Sequence, residues 1–449
     1  MTPRDLAVAA LSSSDGSPGF SERFLEREFN KHKDMTERDR AFVVHLVQGV
    51  LRWRLRLDWI IEQVLRFPFK KIERPVLDIL RTALYQIFYM DRVPDSASVN
   101  EAVKQAEHFG REYVTRFING ILREICRRKD SLAFPDREKD KILHLSTCHS
   151  FPVWLVEKWI EELGEDEAER LMVKSNQMPV MVIRPNRLRI DRNALIDRLE
   201  KEGIRCSPAH HVPEAIQLES SGGAVERLTP FKEGLFQVQS EAAQACSYIL
   251  SPRPKEAVLD LCAGLGGKTS HMAELMGDEG NIIPLDTNHQ RLIRLLMNSR
   301  RLGTNHLRPV TADAFHGLPL KPGSIFDRIM VDAPCSALGT ISRHPDAKWT
   351  RNEKDIVRLA GLQRDILSGA VPFLKRGGRL MYVTCTISRE ENEMVVNDFL
   401  EKHEEIERVD LRQEVPAWGK GLINNEGFFK TFPHIHDMDG FFGALFVKS

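Results

Sequence analysis

Val258-Leu259-Asp260-Leu261-Cys262-Ala263-Gly264-Leu265-Gly266-Gly267-Lys268-Thr269 joins an apolar run to a glycine-rich turn, and the turn to a helix start. Glycines at such a turn permit positive φ angles and let the backbone approach a ligand closely. Alone the signal is weak, because glycine turns also serve plain packing. The downstream pattern strengthens it. Strand-like runs at 282–285, 307–310, 329–331, 379–383, 406–409 and 444–448 alternate with helical patterns at 268–276, 288–302, 353–374 and 390–403. Such alternation predicts an α/β domain over 251–449, with a doubly wound, mostly parallel, Rossmann-like sheet and its ligand at the carboxyl ends of the strands.

Two acids stand where that ligand would lie. Asp286 ends the second strand about 20 residues past the glycines, where a carboxylate bonds ribose hydroxyls. Asp313 ends the third, within reach of an adenine amino group, and Arg291 lies between them in sequence. A P-loop hydrolase is the rival, since Gly267-Lys268-Thr269 resembles the end of that motif. It fails because the first glycine of the motif would fall at Cys262. A dinucleotide cofactor is possible in principle but leaves two cysteines unexplained. Cys335 ends Asp332-Ala333-Pro334-Cys335, Cys385 ends Tyr382-Val383-Thr384-Cys385, and each follows a strand. Each alone reads as a buried core residue, the usual fate of a free cysteine. Together at two strand ends they suggest thiol chemistry beside a nucleoside cofactor, and S-adenosylmethionine combines an adenosine with a transferable methyl group.

Upstream, apolar residues fall at helical spacing from about Phe20 to Arg128, as in Val76, Ile79, Leu80, Ala83, Leu84 and Ile87. An all-helical domain over 1–140 is expected. Pro75 suits a helix first turn, Asp95 or Ser96 an N-cap, and Gly49, Gly110 and Gly120 places where helices end or pack closely. Arg52, Arg54, Arg56, Arg66, Lys70, Lys71 and Arg74, with Trp53 and Trp59 interleaved, read equally well as an RNA-phosphate patch or as a solvated face offset by Asp58, Glu62 and Glu73. Between 141 and 250 lies a small α+β linking region. It has helices at 154–163 and 165–176, strands at 180–183 and 188–190, and breaks at Gly203, Pro208, Pro213, Gly222 and Gly223.

Composition limits the reading. The chain has 449 residues, 42% hydrophobic, and 64 basic against 64 acidic side chains, so any polyanion partner needs a local patch. Seven scattered cysteines with no Cys-x-x-Cys pair argue against a disulfide framework or zinc knuckle. Neither a signal-peptide core nor a membrane-length apolar run is present in the sequence. A soluble cytoplasmic protein is expected, without a metal, acting as a monomer.

At this point the residues resemble the RNA cytosine-carbon-5 methyltransferases of the RsmB/Nop2 family. Asp332-Ala333-Pro334-Cys335-Ser336 matches the family's proline-cysteine motif and Tyr382-Val383-Thr384-Cys385-Thr386 its threonine-cysteine motif. Arg343-His344-Pro345-Asp346-Ala347-Lys348-Trp349 and Glu390-Glu391-Asn392-Glu393 are also similar to family signatures. Arg38-Asp39-Arg40-Ala41, Arg92-Val93-Pro94 and Asn119-Gly120-Ile121-Leu122-Arg123 look like the NusB-like RNA-binding domain of the bacterial branch acting on 16S rRNA. The resemblance implies an S-adenosylmethionine-dependent transfer to a cytosine of that RNA, free or in an early assembly intermediate.

It also implies roles. Carbon 5 of cytosine is a poor nucleophile until something adds to carbon 6, and a thiolate suits that addition. The resemblance assigns the addition to Cys385 and help in product release to Cys335. The residues alone leave the order open, because DNA cytosine methyltransferases carry their nucleophile in a proline-cysteine motif. Asp332 and Lys268 would hold the base, and the loop Cys262, Ala263, Gly264, Leu265, Gly266, Gly267 and Lys268, with Asp286, Arg291, Asp313 and Asp332, would hold the cofactor. Three departures stand out: Gly264-Leu265 for the family's Ala-Pro, Ser240 for a frequent aspartate, and Thr386 for serine. A non-catalytic RNA-binding or assembly factor of the same fold is the alternative, supported only by Gly264-Leu265.

Overall fold

The helical spacing upstream becomes nine successive helices in the computed structural model, which describes residues 1–13, 16–17, 19–108, 111–219, 224–319, 323 and 326–449. Met1–Gln177 with Ile341–Asn352 forms one unit, and Met178–Thr340 with Glu353–Ser449 the other.

The first unit runs α1 (Pro3–Ser12), α2 (Phe20–Lys31), α3 (Glu37–Glu62), α4 (Arg74–Tyr89), α5 (Asp95–Glu107), α6 (Glu112–Arg127), α7 (Lys141–His149), α8 (Val153–Leu163) and α9 (Glu165–Ser175). Caps start several of them: the side chains of Thr2, Thr36 and Asp140 accept backbone N–H groups of Asp5, Asp39 and Leu143. Pro75 does open α4, whereas α5 is preceded by Pro94 and has no side-chain cap, so Asp95 and Ser96 lie inside it. On α6, Val114, Ile118, Ile121, Leu122 and Ile125 share the buried stripe. Gly49 is where α3 passes closest to α4, since a Cβ there would sit 2.0 Å from the Tyr85 ring. Gly120 meets nothing within 4 Å, and Gly110, Gly222 and Gly223 lie outside the described residues.

Residues 341–352 pack inside this unit. Lys348 Nζ donates to Arg52 O at 3.0 Å, Ser150 O at 3.1 Å and Asn176 Oδ1 at 2.7 Å, and Trp349 Nε1 donates to Leu51 O at 2.7 Å. This segment and its surroundings take up three of the seven basic residues of the run. Arg52 donates to Ser342 O, Arg54 lies over the Trp349 ring, and Arg56 lies over Trp53 and Phe134. Arg66, Lys70, Lys71 and Arg74 remain exposed.

The second unit begins with β1 (Met181–Pro185), α10 (Arg192–Lys201), β2 (Cys206–Pro208), β3 (Ile216–Leu218), α11 (Thr229–Lys232) and β4 (Phe236–Val238), an antiparallel sheet in the order β2-β3-β1-β4. The expected strand at 188–190 is instead a turn. Asn186 O accepts the N–H groups of Arg189 and Ile190, and Asn186 Oδ1 accepts that of Leu188.

The larger sheet comes next, through α12 (Glu241–Leu250), β5 (Ala257–Leu261), α13 (Gly267–Leu275), β6 (Asn281–Asp286), α14 (His289–Leu302), β7 (Val310–Thr311) and β8 (Phe326–Asp332). After α15 (Ala347–Thr350), which belongs to the helical unit, come α16 (Glu353–Ala370), β9 (Leu374–Thr384), α17 (Glu393–Lys402), β10 (Ile406–Arg408), β11 (Phe429–Lys430) and β12 (Phe442–Lys448). The order is β10-β12-β9-β8-β5-β6-β7, with β11 on β12; β7, β6, β5, β8 and β9 are parallel, and β12 is antiparallel to β9. Expected strand 307–310 is displaced to β7, because Pro309 has no N–H to give the ladder; Leu307 keeps only a bridge to Ile282. The order reverses between β5 and β8, and a ligand crevice opens at such a point.

Candidate active site

The turn after β5 adopts the left-handed backbone its sequence demands, with φ of 63° at Cys262, 59° at Gly264 and 81° at Gly266. Gly266 must be glycine, since a Cβ would stand 2.5 Å from Leu295 Cγ; at Gly264 a Cβ meets nothing within 4 Å. Asp286, at the end of β6, is buried and faces this turn. Its Oδ2 accepts the Gly264 N–H at 2.9 Å and its Oδ1 the Asn288 N–H at 2.7 Å, while Arg291 Nη1 stands 4.0 Å from Oδ2. The departure to Gly264-Leu265 therefore leaves the loop tied to its acid. Asp313 lies two residues beyond β7, largely exposed. The Phe315 N–H holds its carboxyl below the usual range, with His316 adding to this. Burial pushes the Cys262 thiol up, and Asp332, Asp286, Asp260 and Asp313 all act on it in the same sense, so the turn is ringed by carboxylates.

On the other side of the switch point, Lys268 in the first turn of α13 donates to Asp332 Oδ2 at 2.7 Å, and its Nζ lies 5.3 Å from the Phe441 ring centroid. Burial opposes the ammonium, but Asp332 outweighs it and Cys246 and Cys385 add to the effect, so the lysine stays charged. Cys246 itself is a core residue; burial pushes its thiol up to about 12.

Asp332 of β8 and Val383 of β9 are register partners, so the segments beyond them run side by side. They bring Cys335 Sγ to 3.1 Å from Cys385 Sγ, and the Cys385 N–H donates to Cys335 Sγ at 3.3 Å. Both side chains are half-buried, and none of the seven cysteines is in a disulfide. The Cys335 thiol is pushed well up, first by its hydrogen bond with Cys385, then by burial and by the Cys385 and Glu391 charges. Such an array can hold a flat polar ring against a carboxylate and an ammonium while presenting sulfur to it.

Four supporting residues were missed in the sequence. Arg184 looked like part of a turn, yet it is fully buried in β1. There it donates to Glu274 Oε1 at 2.6 Å, Ser270 Oγ at 3.2 Å and Gly267 O at 3.1 Å, which fixes the start of the helix carrying Lys268. A charge inside the apolar run Met181-Val182-Ile183 was the available signal. Glu391 belongs to a quoted signature but had no role. Its Oε1 accepts the Ser336 N–H at 2.8 Å and Gln363 Nε2 at 3.0 Å, its Oε2 accepts Ser336 Oγ, and Gln363 Nε2 also donates to Pro334 O at 2.9 Å. Cys335 is thus held on both sides. Asn392 does the same around Cys385, accepting from Thr384 Oγ1 at 2.6 Å and donating to Thr386 O at 3.0 Å. Thr386 Oγ1 lies 2.8 Å from Ser336 Oγ, a bond that serine could equally make.

Among the described residues no cluster of three or more His, Cys, Asp or Glu suits a metal ion, and no helix is long and apolar enough to cross a membrane. Three family models match the chain: "16S rRNA methyltransferase RsmB/F" over 247–447, the NusB family over 1–127, and the RsmF/B-like ferredoxin-like domain over 151–225. The probable ribosomal RNA small subunit methyltransferase B of Synechocystis sp. is 34% identical, with 100% of both chains covered. That of Bacillus subtilis is 33% identical over 98% of this chain and 97% of its own. Among solved structures, that of PH0851 superposes with a TM-score of 0.82 at 27% identity, covering 100% of this chain and 99% of that one. A methyltransferase homolog from Pyrococcus horikoshii covers 69% of this chain and 99% of its own at 27% identity, with a TM-score of 0.59.

Proposed function

Since the chain belongs to the RsmB/F family of 16S rRNA methyltransferases, we propose that it methylates carbon 5 of a 16S rRNA cytosine through a covalent adduct on Cys385. At family level it is an S-adenosylmethionine-dependent RNA cytosine-carbon-5 methyltransferase. The observation that carries the finer reading is the pair of sulfurs 3.1 Å apart at neighbouring strand ends, beside the Lys268–Asp332 pair.

The residues around the β5 turn fit the cofactor. Open space at Gly264, the Asp286 carboxylate beneath it and Asp313 farther along would hold a ribose and an adenine, with Arg291 alongside. S-adenosylmethionine, when bound, supplies an electrophilic methyl group. Asp332 and Lys268 orient the cytosine and steady the charge that develops on it. The Cys385 sulfur pair forms a bond to carbon 6, which makes carbon 5 nucleophilic. After methylation, loss of the carbon-5 proton restores the double bond and expels Cys385 as a thiolate, and Cys335 is placed to take that proton. For the RNA strand, the helical unit offers a groove of about 670 Å³ lined by Arg66, Phe67, Arg116, Phe117, Arg127 and Arg128. Its phenyl rings, 5.6 Å apart, supply stacking faces between the cations.

The test is adduct formation with RNA carrying 5-fluorocytosine, whose fluorine blocks release. Wild type is expected to form a stable adduct, Cys385→Ala none, and Cys335→Ala an adduct even on ordinary RNA. An adduct that survives Cys385→Ala overturns the nucleophile assignment. Absence of methyl transfer from labelled cofactor to unmodified small-subunit rRNA by folded wild type overturns the reading as a whole.

A further inference from the structure

Two thiols 3.1 Å apart on equivalent strand ends pose a question of symmetry: what makes one the attacker and the other not? Their neighbours differ in sign. Cys385 lies within electrostatic reach of the Lys268 ammonium. Cys335 lies between Pro334 and Ser336, both anchored by the pair Gln363 and Glu391. Glu391 is completely buried, and three donors converge on its carboxylate: Ser336 N–H, Ser336 Oγ–H and Gln363 Nε2–H. Three converging donors favour the ionised form of this carboxyl. Burial pushes this one up, and the Ser336 and Gln363 bonds oppose it.

We propose that Glu391 is a positioning residue that assigns the two thiols their roles: its buried carboxylate keeps the proton on Cys335 and leaves Cys385, on the Lys268 side, as the thiolate that adds to carbon 6. This rests on the covalent reading above. The titratable groups acting on Cys335 are Cys385 just beyond β9, Glu391 from the segment before α17 and Tyr382 of β9. Helix α16 presents neutral Gln363, while its Arg364 is paired with Asp398.

The arrangement also explains how Cys335 changes task. At rest the hydrogen bond it shares with the Cys385 sulfur is the largest influence holding the proton on Cys335. Once that sulfur is bonded to carbon 6 it is a thioether without charge. Cys335 then loses its proton to solvent, and the thiolate formed beside Glu391 is a strong base for the carbon-5 proton. The C–H pair restores the double bond, and the pair of the C6–S bond returns to Cys385.

The test needs neither RNA nor cofactor, so it fails separately from the adduct experiment. The intact protein is alkylated with iodoacetamide across pH, and each cysteine is followed by peptide mass spectrometry. In wild type Cys385 should react faster than Cys335 at every pH; the opposite order overturns the proposal. Glu391→Gln should raise Cys335 labelling roughly tenfold, the gain in thiolate fraction when a thiol becomes about ten times more acidic. Cys385 labelling should stay within about twofold on the same scale, and Glu391→Asp should keep the wild-type order. Unchanged Cys335 labelling in Glu391→Gln also overturns it. Buried Cys246 reports unfolding of the variant, in which case the wild-type order decides alone.

Discussion

Lys348 is buried and Lys268 nearly so, and both sit in short motifs that resemble family signatures, yet they stand in opposite surroundings. Lys268, in the catalytic unit, meets a carboxylate at 2.7 Å that holds its charge. Lys348, in the helical unit, meets two carbonyls, one amide oxygen and the face of Phe151, 3.7 Å from the ring centroid, and burial pushes it well below its ordinary value. A cation beside its counter-charge remains available to a substrate. One enclosed by neutral acceptors acts as a tie, joining residues 341–352 to α3, the end of α7 and the end of α9 by spending its donors on backbone and amide oxygens. Burial alone therefore says little about a lysine's task, and the sign of its nearest neighbour says most.

The contrast breaks if the two lysines respond alike to removal. Lys268→Met should lower turnover about 10²–10³-fold, the loss typical of one positioned electrostatic donor, with little change in melting temperature. A variant that melts early but turns over normally would make Lys268 a structural tie as well. Lys348→Met should do the reverse. It keeps the apolar stem but leaves three acceptors without a donor, for a loss on the order of 3 kcal/mol in the helical unit. Hydrogen exchange along α3, α7 and α9 reads this directly, and turnover by the folded fraction should stay within a fewfold of wild type. The pH dependence has a definite sign. A lysine lowered in the folded state contributes stability that is complete above its unfolded value and is lost as pH falls through its folded one. The opening free energy of the helical unit should thus rise with pH up to about 10.4, and Lys348→Met should flatten it.

The same distinction explains what the sequence discloses. Periodicity and strand-helix alternation find the helical unit and the parallel sheet, because both patterns are local. The glycine turn, Asp286 and the two cysteines are legible because each ends or follows an apolar strand-like run. Asp313 is placed nearly right, although Pro309 shortens its strand. What stays hidden depends on distant partners. Arg184 reads as a turn residue until Glu274 is brought to it, and Glu391 stands in a quoted signature without a role until it is folded beneath Ser336. Arg52 and Arg54 read equally as part of an RNA patch or of a solvated face until residues 341–352 occupy them. In each case a long-range contact takes up a charge that local pattern leaves without a partner.

The smallest effect comes from a buried charge on the catalytic side that resembles Lys348 more than Lys268. Asp260 of β5 lies fully buried beneath the cofactor turn. One oxygen accepts from Thr269 Oγ1, and the other has no partner among the described residues. Burial pushes it from 3.8 to about 7, against the Thr269 bond and with help from Asp332. An acid raised in the folded state binds its proton more tightly there than in the unfolded chain. Its contribution is therefore complete below the unfolded value and drains away as pH rises towards 7. The catalytic unit should lose stability across that window by no more than about 1.4 kcal/mol per pH unit, a slope opposite in sign to that of the helical unit at alkaline pH. Asp260→Asn can still accept from Thr269 and carries no charge, so it should abolish the slope, changing stability little near pH 4 and making the variant the more stable of the two near neutrality. A wild-type protein with no slope between pH 4 and 7 would mean that Asp260 stays ionised in the folded state. Its compensation would then have to come from the Lys268 ammonium, and Asp260 would belong with the paired charges of the site.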